Sequence, residues 1–458
     1  MLGFFSGGYF DAPRAWAGLF VWAIVVVGLV ARVPGAPFAP ARPAARLAFG
    51  GLAGLAAWTF ASVTWAPVAG PAWDAGEIAL LYLGVMAAAA LLCGAETEPA
   101  LALGAFVVVG YGLSERLLPG VLHFTQSVSA EGRLEQPLTY WNGMGVVAAM
   151  GLVLCARLAG DPARGARLRS AAAAAAVPLT LGLALTVSRG ALLAAAAGLL
   201  VLIVATNRRE QLAAVVVTVV PGALAAAVAA PLDGVASLTG THRETEGAVV
   251  LAALVVLMAL AMLAQRALST RLAGPLRLPA GSGILVVTLI AAGFGVAVLL
   301  GSGDHKRTLT PTAGRLTTLQ SNRYEYWRVA TRAFGDQPLR GVGAGGWAVR
   351  WLAERPFRES AHDAHSLYLQ TAAELGIVGV VLLLTWFGGV ALAARAGPVG
   401  LAAVCATYAV HVLLDWDFEL PAASLPAMIA AGALLQSASA TRGASRANTQ
   451  TPSPHTTT

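Results

Sequence analysis

The chain has 458 residues, 57% of them hydrophobic and only 12% charged, with a formal net charge of +7. A soluble globule of this length needs far more polar surface, so lipid must supply most of the solvent. The positive charge does not indicate nucleic acid, because the arginines stand mainly in the connections between apolar runs, where they set membrane topology.

A hydrocarbon core of about 30 Å takes about 20 apolar residues per helix. Such runs predict spans at 15–31, 46–63, 76–93, 99–118, 140–158, 170–187, 190–206, 211–230, 247–264, 282–300, 366–394, 398–414 and 419–436. The runs do not alternate as barrel strands do. The two pairs that meet at Ser188 and at Gly397 read either as two helices with a tight turn or as one kinked helix. Gly50 and Gly54 have the small-xxx-small spacing of close helix packing. Cys93, Cys155 and Cys405 fall in or at the edge of apolar segments, which indicates neither a disulfide framework nor a metal cluster. The N-terminus lacks the basic region of a cleavable signal peptide, so the first helix itself is expected to direct insertion.

Counting arginines on alternate sides of this ladder gives the orientation. One side holds fifteen, among them Arg32, Arg157, Arg208 and Arg395; the other holds five, Arg14, Arg116, Arg133, Arg189 and Arg243. The first side is expected to be cytoplasmic. The organisation that follows is ten helices in residues 1–300, a large and partly helical extracytoplasmic loop at 301–365, three more helices at 366–440, and a disordered cytoplasmic tail at 441–458. The loop carries ten basic residues against six acidic ones, which the positive-inside rule tolerates because long loops translocate largely regardless of charge. Its guanidinium groups suit an anionic ligand, since their planar donor forks bind phosphate oxygens bidentately. Attraction to anionic lipid headgroups would use the same charge.

Five segments separate these readings: TYWNGMG at 139–145, SRGALL at 188–193, NRYEYWRVATRAFGDQPLRGVGAGGW at 322–347, HDAHSLYLQTAAELGIVG at 362–379 and HVLLDWDFELPA at 411–422. In kind and in order they resemble the bacterial O-antigen ligase and O-antigen polymerase superfamily. That family's hallmark is a histidine at the end of the large external loop, matched here by His365, Ser366, Leu369, Gln370, Glu374, Gly376 and Gly379. The resemblance runs from Tyr140 to Pro421, and the first four helices match only in hydropathy.

The resemblance implies an all-α polytopic membrane protein of about 12–13 transmembrane helices, a GT-C-like glycosyltransferase bundle with one large external loop. It implies transfer or polymerisation of a glycan from a polyprenyl diphosphate donor onto a glycan, lipid or protein acceptor at the outer face of the cytoplasmic membrane, with no cofactor and no metal. Arg189, Arg323 and His365 are expected to converge, the arginines on the diphosphate and the histidine on the acceptor hydroxyl. Arg328 or Arg332 could stand in for Arg323 from the next helical turn. Tyr140, Asn142, His362, Gln370, Glu374, His411 and Asp415 complete the set expected to contact substrate.

Each of these residues also has a structural reading. Arg189 could be a snorkelling arginine at a helix end, and Arg323 could pair with Glu325 or Asp336. Tyr140 could belong to an interfacial aromatic belt. His362 shares the helix entrance with His365, and Asp415, Asp417 and Glu419 could form a charge network with His411. The GVGAGG run at 341–346 has neither a preceding strand nor a following lysine and reads as a turn rather than a phosphate loop. A lipid-glycan flippase or small-solute transporter is the competing class. It should show broken helices with polar midplane residues, which the sequence does not reveal.

Overall fold

The computed structural model of the chain describes residues 14–31, 43–269 and 322–448, with short pieces between 4 and 9 and between 274 and 282. The span expected at 282–300 and loop residues 301–321 lie outside the described residues. The described part is helical: α1 (Arg14–Val30), α2 (Pro43–Ser62), α3 (Ala69–Leu92), α4 (Thr97–Leu117), α5 (Trp141–Gly160), α6 (Ala166–Leu185), α7 (Arg189–Thr206), α8 (Arg209–Ala229), α9 (Arg243–Ser269), α10 (Arg323–Asp336), α11 (Gly346–Glu354), α12 (Leu367–Ala394), α13 (Val399–His411) and α14 (Pro421–Asn448). Nine of these are long and apolar enough to cross a membrane, and α1, α13 and the first part of α14 are shorter apolar helices. The chain is a polytopic membrane protein.

Both ambiguous junctions are breaks. At the first, Val187 takes a left-handed conformation and the Ser188 hydroxyl accepts from the Ala191 amide, so α7 starts with a proper cap. At the second, Pro398 stands immediately before α13. At the other end of the chain, α14 continues to Asn448, into the stretch expected to be a disordered tail. The physical reason is its run of alanine, serine and arginine, which prolongs a helix already nucleated by the membrane segment.

Helix α5 is almost wholly buried and forms the centre of the bundle. Around it the helices approach closely at small residues. A Cβ on Gly51 would lie 2.4 Å from the Trp386 nitrogen, and one on Gly389 would lie 2.2 Å from the Ala48 nitrogen, which locks α2 to α12. Gly54 takes part in that seam, whereas nothing lies within 4 Å of Gly50.

One feature departs from the sequence reading of unbroken helices. α12 is interrupted at Gly376, where φ is 64° and ψ is −162°. Backbone groups freed by a break inside a membrane must find partners, and the segment 338–343 provides them. The Val342 and Gly343 amides donate to the carbonyls of Ala373 and Glu374, and the Ile377 amide donates to the Pro338 carbonyl. The glycine-rich run is a turn, as expected, but one inserted against α12 rather than free in solvent. A Cβ at Gly376 would stand 2.3 Å from the Leu339 carbonyl oxygen, and one at Gly341 2.2 Å from the carbonyl carbon of Glu374. Both residues also have positive φ. Gly376→Ala is therefore expected to lower thermal stability in detergent by at least about 2 kcal/mol, the left-handed penalty plus the clash. Unchanged melting of this variant would contradict the interlock.

Candidate functional site

The expected site residues gather where the connections 118–140, 322–366 and 412–420 meet. Two of the five arginines on the side with the lower count are structural staples. The buried Arg116 donates to the carbonyls of Val235 and Gly132 at 2.5 and 2.6 Å, stitching two connections together. Arg133 lies 3.6 Å above the Trp141 ring and donates to the carbonyls of Ala130 and Ser129.

Helices α10 and α11 form a cap with its own core. Tyr326, Val329, Ala330 and Ala333 recur on one face of α10 and pack on Trp347 and Trp351. The stacked tryptophans are 5.8 Å apart, and Tyr326 meets Trp351 edge-on at 4.8 Å. Glu374 accepts from the Trp347 amide at the start of α11 and so holds the cap on α12, and it also lines the cavity beside the His365 turn.

His365 sits where the cap joins the membrane bundle. Its ring lies 5.2 Å from Tyr326 and 6.5 Å from Trp416, and its backbone is left-handed, with φ of 52°. Gln370 sets that turn: its Oε1 accepts from the Ala364 amide at 3.3 Å, and its Nε2 donates to Asp363 at 3.2 Å. His365 Nδ1 lies 3.1 Å from the Asp363 carbonyl. A carbonyl can only accept, so Nδ1 carries the proton and Nε2 keeps its lone pair for another group. Burial, and then the Arg323 charge, push the imidazole down to about 4, against the opposing pull of Asp415. Burial likewise pushes the Asp363 carboxyl up to about 6, opposed by Gln370 and His362.

Arg323, at the first turn of α10, spans the gap to the 411–417 turn. Its guanidinium pairs with Asp415 at 2.9 Å and donates to the Leu414 carbonyl. The partner is thus neither Glu325 nor Asp336, the two acids nearest in sequence. Asp415 is buried and also accepts from the Tyr140 hydroxyl at 2.5 Å and from the Trp416 amide. Burial raises its carboxyl, but Arg323, His365 and His411 together outweigh that and hold it below the usual carboxylate range. Asn142 donates to the Tyr140 hydroxyl at 2.9 Å, and Trp416 packs 4.6 Å from the Tyr140 ring. Tyr140 is therefore an interior residue of the site, not a member of a lipid-facing belt.

Arg189 opens α7 on the same side. Burial raises the Tyr324 hydroxyl pKa while Arg189 and Arg323 both pull it down, which places the two cations around one phenol. The next residue, Gly190, faces the His411 ring and Leu414. The structure thus brings Arg189, Arg323, His365, Tyr140, Asn142, Gln370 and Asp415 to one place.

Three expected residues stand apart from that place. Arg328 pairs with Glu325, and Arg332 pairs with Glu354 at 3.7 Å; both arginine side chains are at least half exposed. His362 is exposed. His411 borders the site, its side chain fully buried against Asp417 and its ring facing Gly190. The sequence reading did not single out Tyr324, Asp363, Trp416 or the Leu414 carbonyl. All four lie within the quoted segments, Tyr324 in NRYEYW, Asp363 in HDAH, and Leu414 and Trp416 in HVLLDWDF.

Two arginines and a histidine thus meet at one end of a membrane bundle. Residues 234–384 match the family model described as O-antigen ligase, which bears out the resemblance carried by the motifs. The matched stretch, which holds Arg323 and His365, is similar to the O-antigen ligase family. No curated protein matches the chain.

The depressed His365 value has a testable sign. A histidine whose folded pKa lies below its ordinary 6.5 loses its neutral form only as pH falls through the lower value. For the free enzyme, which kcat/KM reports, no activity loss from His365 protonation is expected near pH 6.5, and that loss should appear only as the pH approaches 4. An acid limb near 6.5 that vanishes in His365→Asn would place the imidazole in a far more solvated setting.

Proposed function

We propose that the protein moves a glycan from a polyprenyl diphosphate carrier to an acceptor hydroxyl at the outer face of the cytoplasmic membrane. The observation that carries this reading is the junction of Arg323 and Arg189 with a His365 whose Nε2 lone pair is available. In the step proposed, the acceptor oxygen forms a bond to the anomeric carbon as the bond from that carbon to the diphosphate oxygen breaks. The diphosphate leaves with the electron pair, and the hydroxyl proton passes to His365 Nε2.

The arginines serve the departing charge, where donors fixed in advance are worth most. In the resting site Arg323 is engaged by Asp415, so the diphosphate competes with that carboxylate for the guanidinium. Its arrival also changes His365. Arg323 is one of the two influences that hold the imidazole basicity down, and an anion beside Arg323 offsets that influence. The base therefore strengthens when the donor is in place, which protects the resting enzyme from idle proton transfer. A small cavity of about 40 Å³, lined mainly by apolar side chains with Gln370, Glu374 and Glu419 among them, adjoins the His365 turn.

The arginine count supports this orientation, with the lower count at this end of the bundle. The test is the fate of lipid-diphosphate-linked glycan in cells deleted for the gene, scored separately on each membrane face. Accumulation on the outer face that wild type clears and His365→Asn does not is the expected result. Accumulation on the inner face would replace transfer by flipping.

A further inference from the structure

The 411–417 turn contacts Arg323, packs at the His365 segment and lies against Gly190, the neighbour of Arg189, and a buried pair closes it. His411, in the last turn of α13, and Asp417 both have fully buried side chains and are joined through His411 Nδ1. Between them the turn offers the Leu414 carbonyl and the Asp415 carboxylate to Arg323. Its Val412 carbonyl accepts from the Leu367 amide at 2.8 Å, two residues after His365. The His411 ring itself lies against Gly190, beside Arg189: a Cβ there would stand 3.6 Å from Nε2. On the other side, the Ser424 hydroxyl donates to the Asp417 carbonyl at 2.5 Å and lies 2.7 Å from the Tyr408 hydroxyl, which ties the turn to α14 and α13.

A polar pair in this position is a poor way to add stability. Taking two ionisable groups out of water costs several kcal/mol, and apolar residues of the same volume often do as well or better. The costs here are visible, since His411 Nε2 and Asp417 Oδ1 are both buried without a hydrogen-bond partner. What the pair provides is direction: an imidazole held through one nitrogen cannot rotate, and the turn it closes cannot slide. The Nε2 edge faces Gly190 at the start of α7.

We propose that His411 and Asp417 are a positioning unit, which fixes the 411–417 turn and thereby sets where Arg323, Arg189 and His365 stand relative to one another. The proposal rests on the transfer reading above. It assigns the work to the Nδ1 arm of His411, and neither residue touches substrate.

The two conservative replacements of histidine separate the arms, because the asparagine amide falls near Nδ1 and the glutamine amide near Nε2. Purified full-length protein would be assayed in liposomes with lipid-linked glycan extracted from the deleted cells. In His411→Gln and Asp417→Asn, kcat is expected to fall about a hundredfold, the cost of a misplacement on the order of 1 Å, while the donor KM moves less than about threefold. His411→Asn should recover kcat to within about tenfold of wild type, as a retained Nδ1 arm requires. Full activity in either His411→Gln or Asp417→Asn would overturn the proposal. So would equal losses in all three variants accompanied by loss of folded protein in gel filtration, which would mark the pair as ordinary core. A wild-type protein that transfers nothing in this assay would fail the transfer reading instead, so the two failures are distinguishable.

Discussion

Replacing His365 by asparagine is expected to reduce glycan transfer by about 10²–10⁴-fold, the range lost when a positioned general base is removed, while leaving the fold and donor binding intact. Asparagine suits this test for two reasons. The position is left-handed, with φ of 52°, a conformation asparagine tolerates better than most residues. Its amide can also reproduce the Nδ1 donation to the Asp363 carbonyl, so the 363–365 turn has no cause to rearrange. What is lost is Nε2 alone. The check is single-turnover transfer of the extracted lipid-linked glycan, with donor binding measured on the same preparation. Transfer within about threefold of wild type would remove His365 from the chemistry, since it would lie far below the loss expected for a base.

Arg323→Ala is expected to have the second large effect, and it acts on two quantities at once. Transfer should fall by about 10²–10³-fold, because one of the charges facing the leaving diphosphate is gone. Stability should fall as well, since Asp415 is 1% exposed and is left with the Tyr140 hydroxyl and the Trp416 amide as its hydrogen-bond donors. Breaking a buried pair from one side typically costs about 3–5 kcal/mol; the partial exposure of Arg323 places the expectation at the lower end. The double variant Arg323→Ala with Asp415→Asn removes the stranded charge. It should regain most of the thermal stability and none of the activity. Recovery of transfer in the double variant would mean that Arg323 serves only to neutralise Asp415. Arg323→Lys should fall between, because a lysine keeps the charge but loses the planar fork that reaches Leu414 and Asp415 together.

The break in α12 changes how the glycine motifs are understood. Gly341, Gly343 and Gly376 all have positive φ, and the turn that contains the first two closes the backbone groups opened by the third. A broken helix is also what a transporter would present. Here the opened groups are consumed by the cap rather than turned toward a solute, and Glu374 beside them accepts from the Trp347 amide at the start of α11. The break therefore serves as the mount that carries the cap, and through it Tyr326 and His365, on the membrane bundle.

Much of this protein was written locally in its sequence. Apolar runs of about 20 residues compel membrane helices because lipid supplies no partners for backbone groups, so most spans among the described residues could be placed to within a few residues. The resemblance and the SRGALL, NRYEYW and HDAHSLYLQ segments marked Arg189, Arg323 and His365 before any contact was known. Pairing was not legible in the same way. Arg323 has Glu325 and Asp336 close in sequence, yet it pairs with Asp415, 92 residues away, because the cap folds back onto the 411–417 turn. Tyr140 looked like an interfacial aromatic and is an interior donor to that same carboxylate. His411 looked like a substrate ligand and is sealed against Asp417. In each case hydropathy and motif fix where a residue enters the fold, whereas its partner depends on which helices pack together, and that is decided by close approaches such as Gly51 on Trp386 and Gly376 on Leu339, which no local pattern encodes.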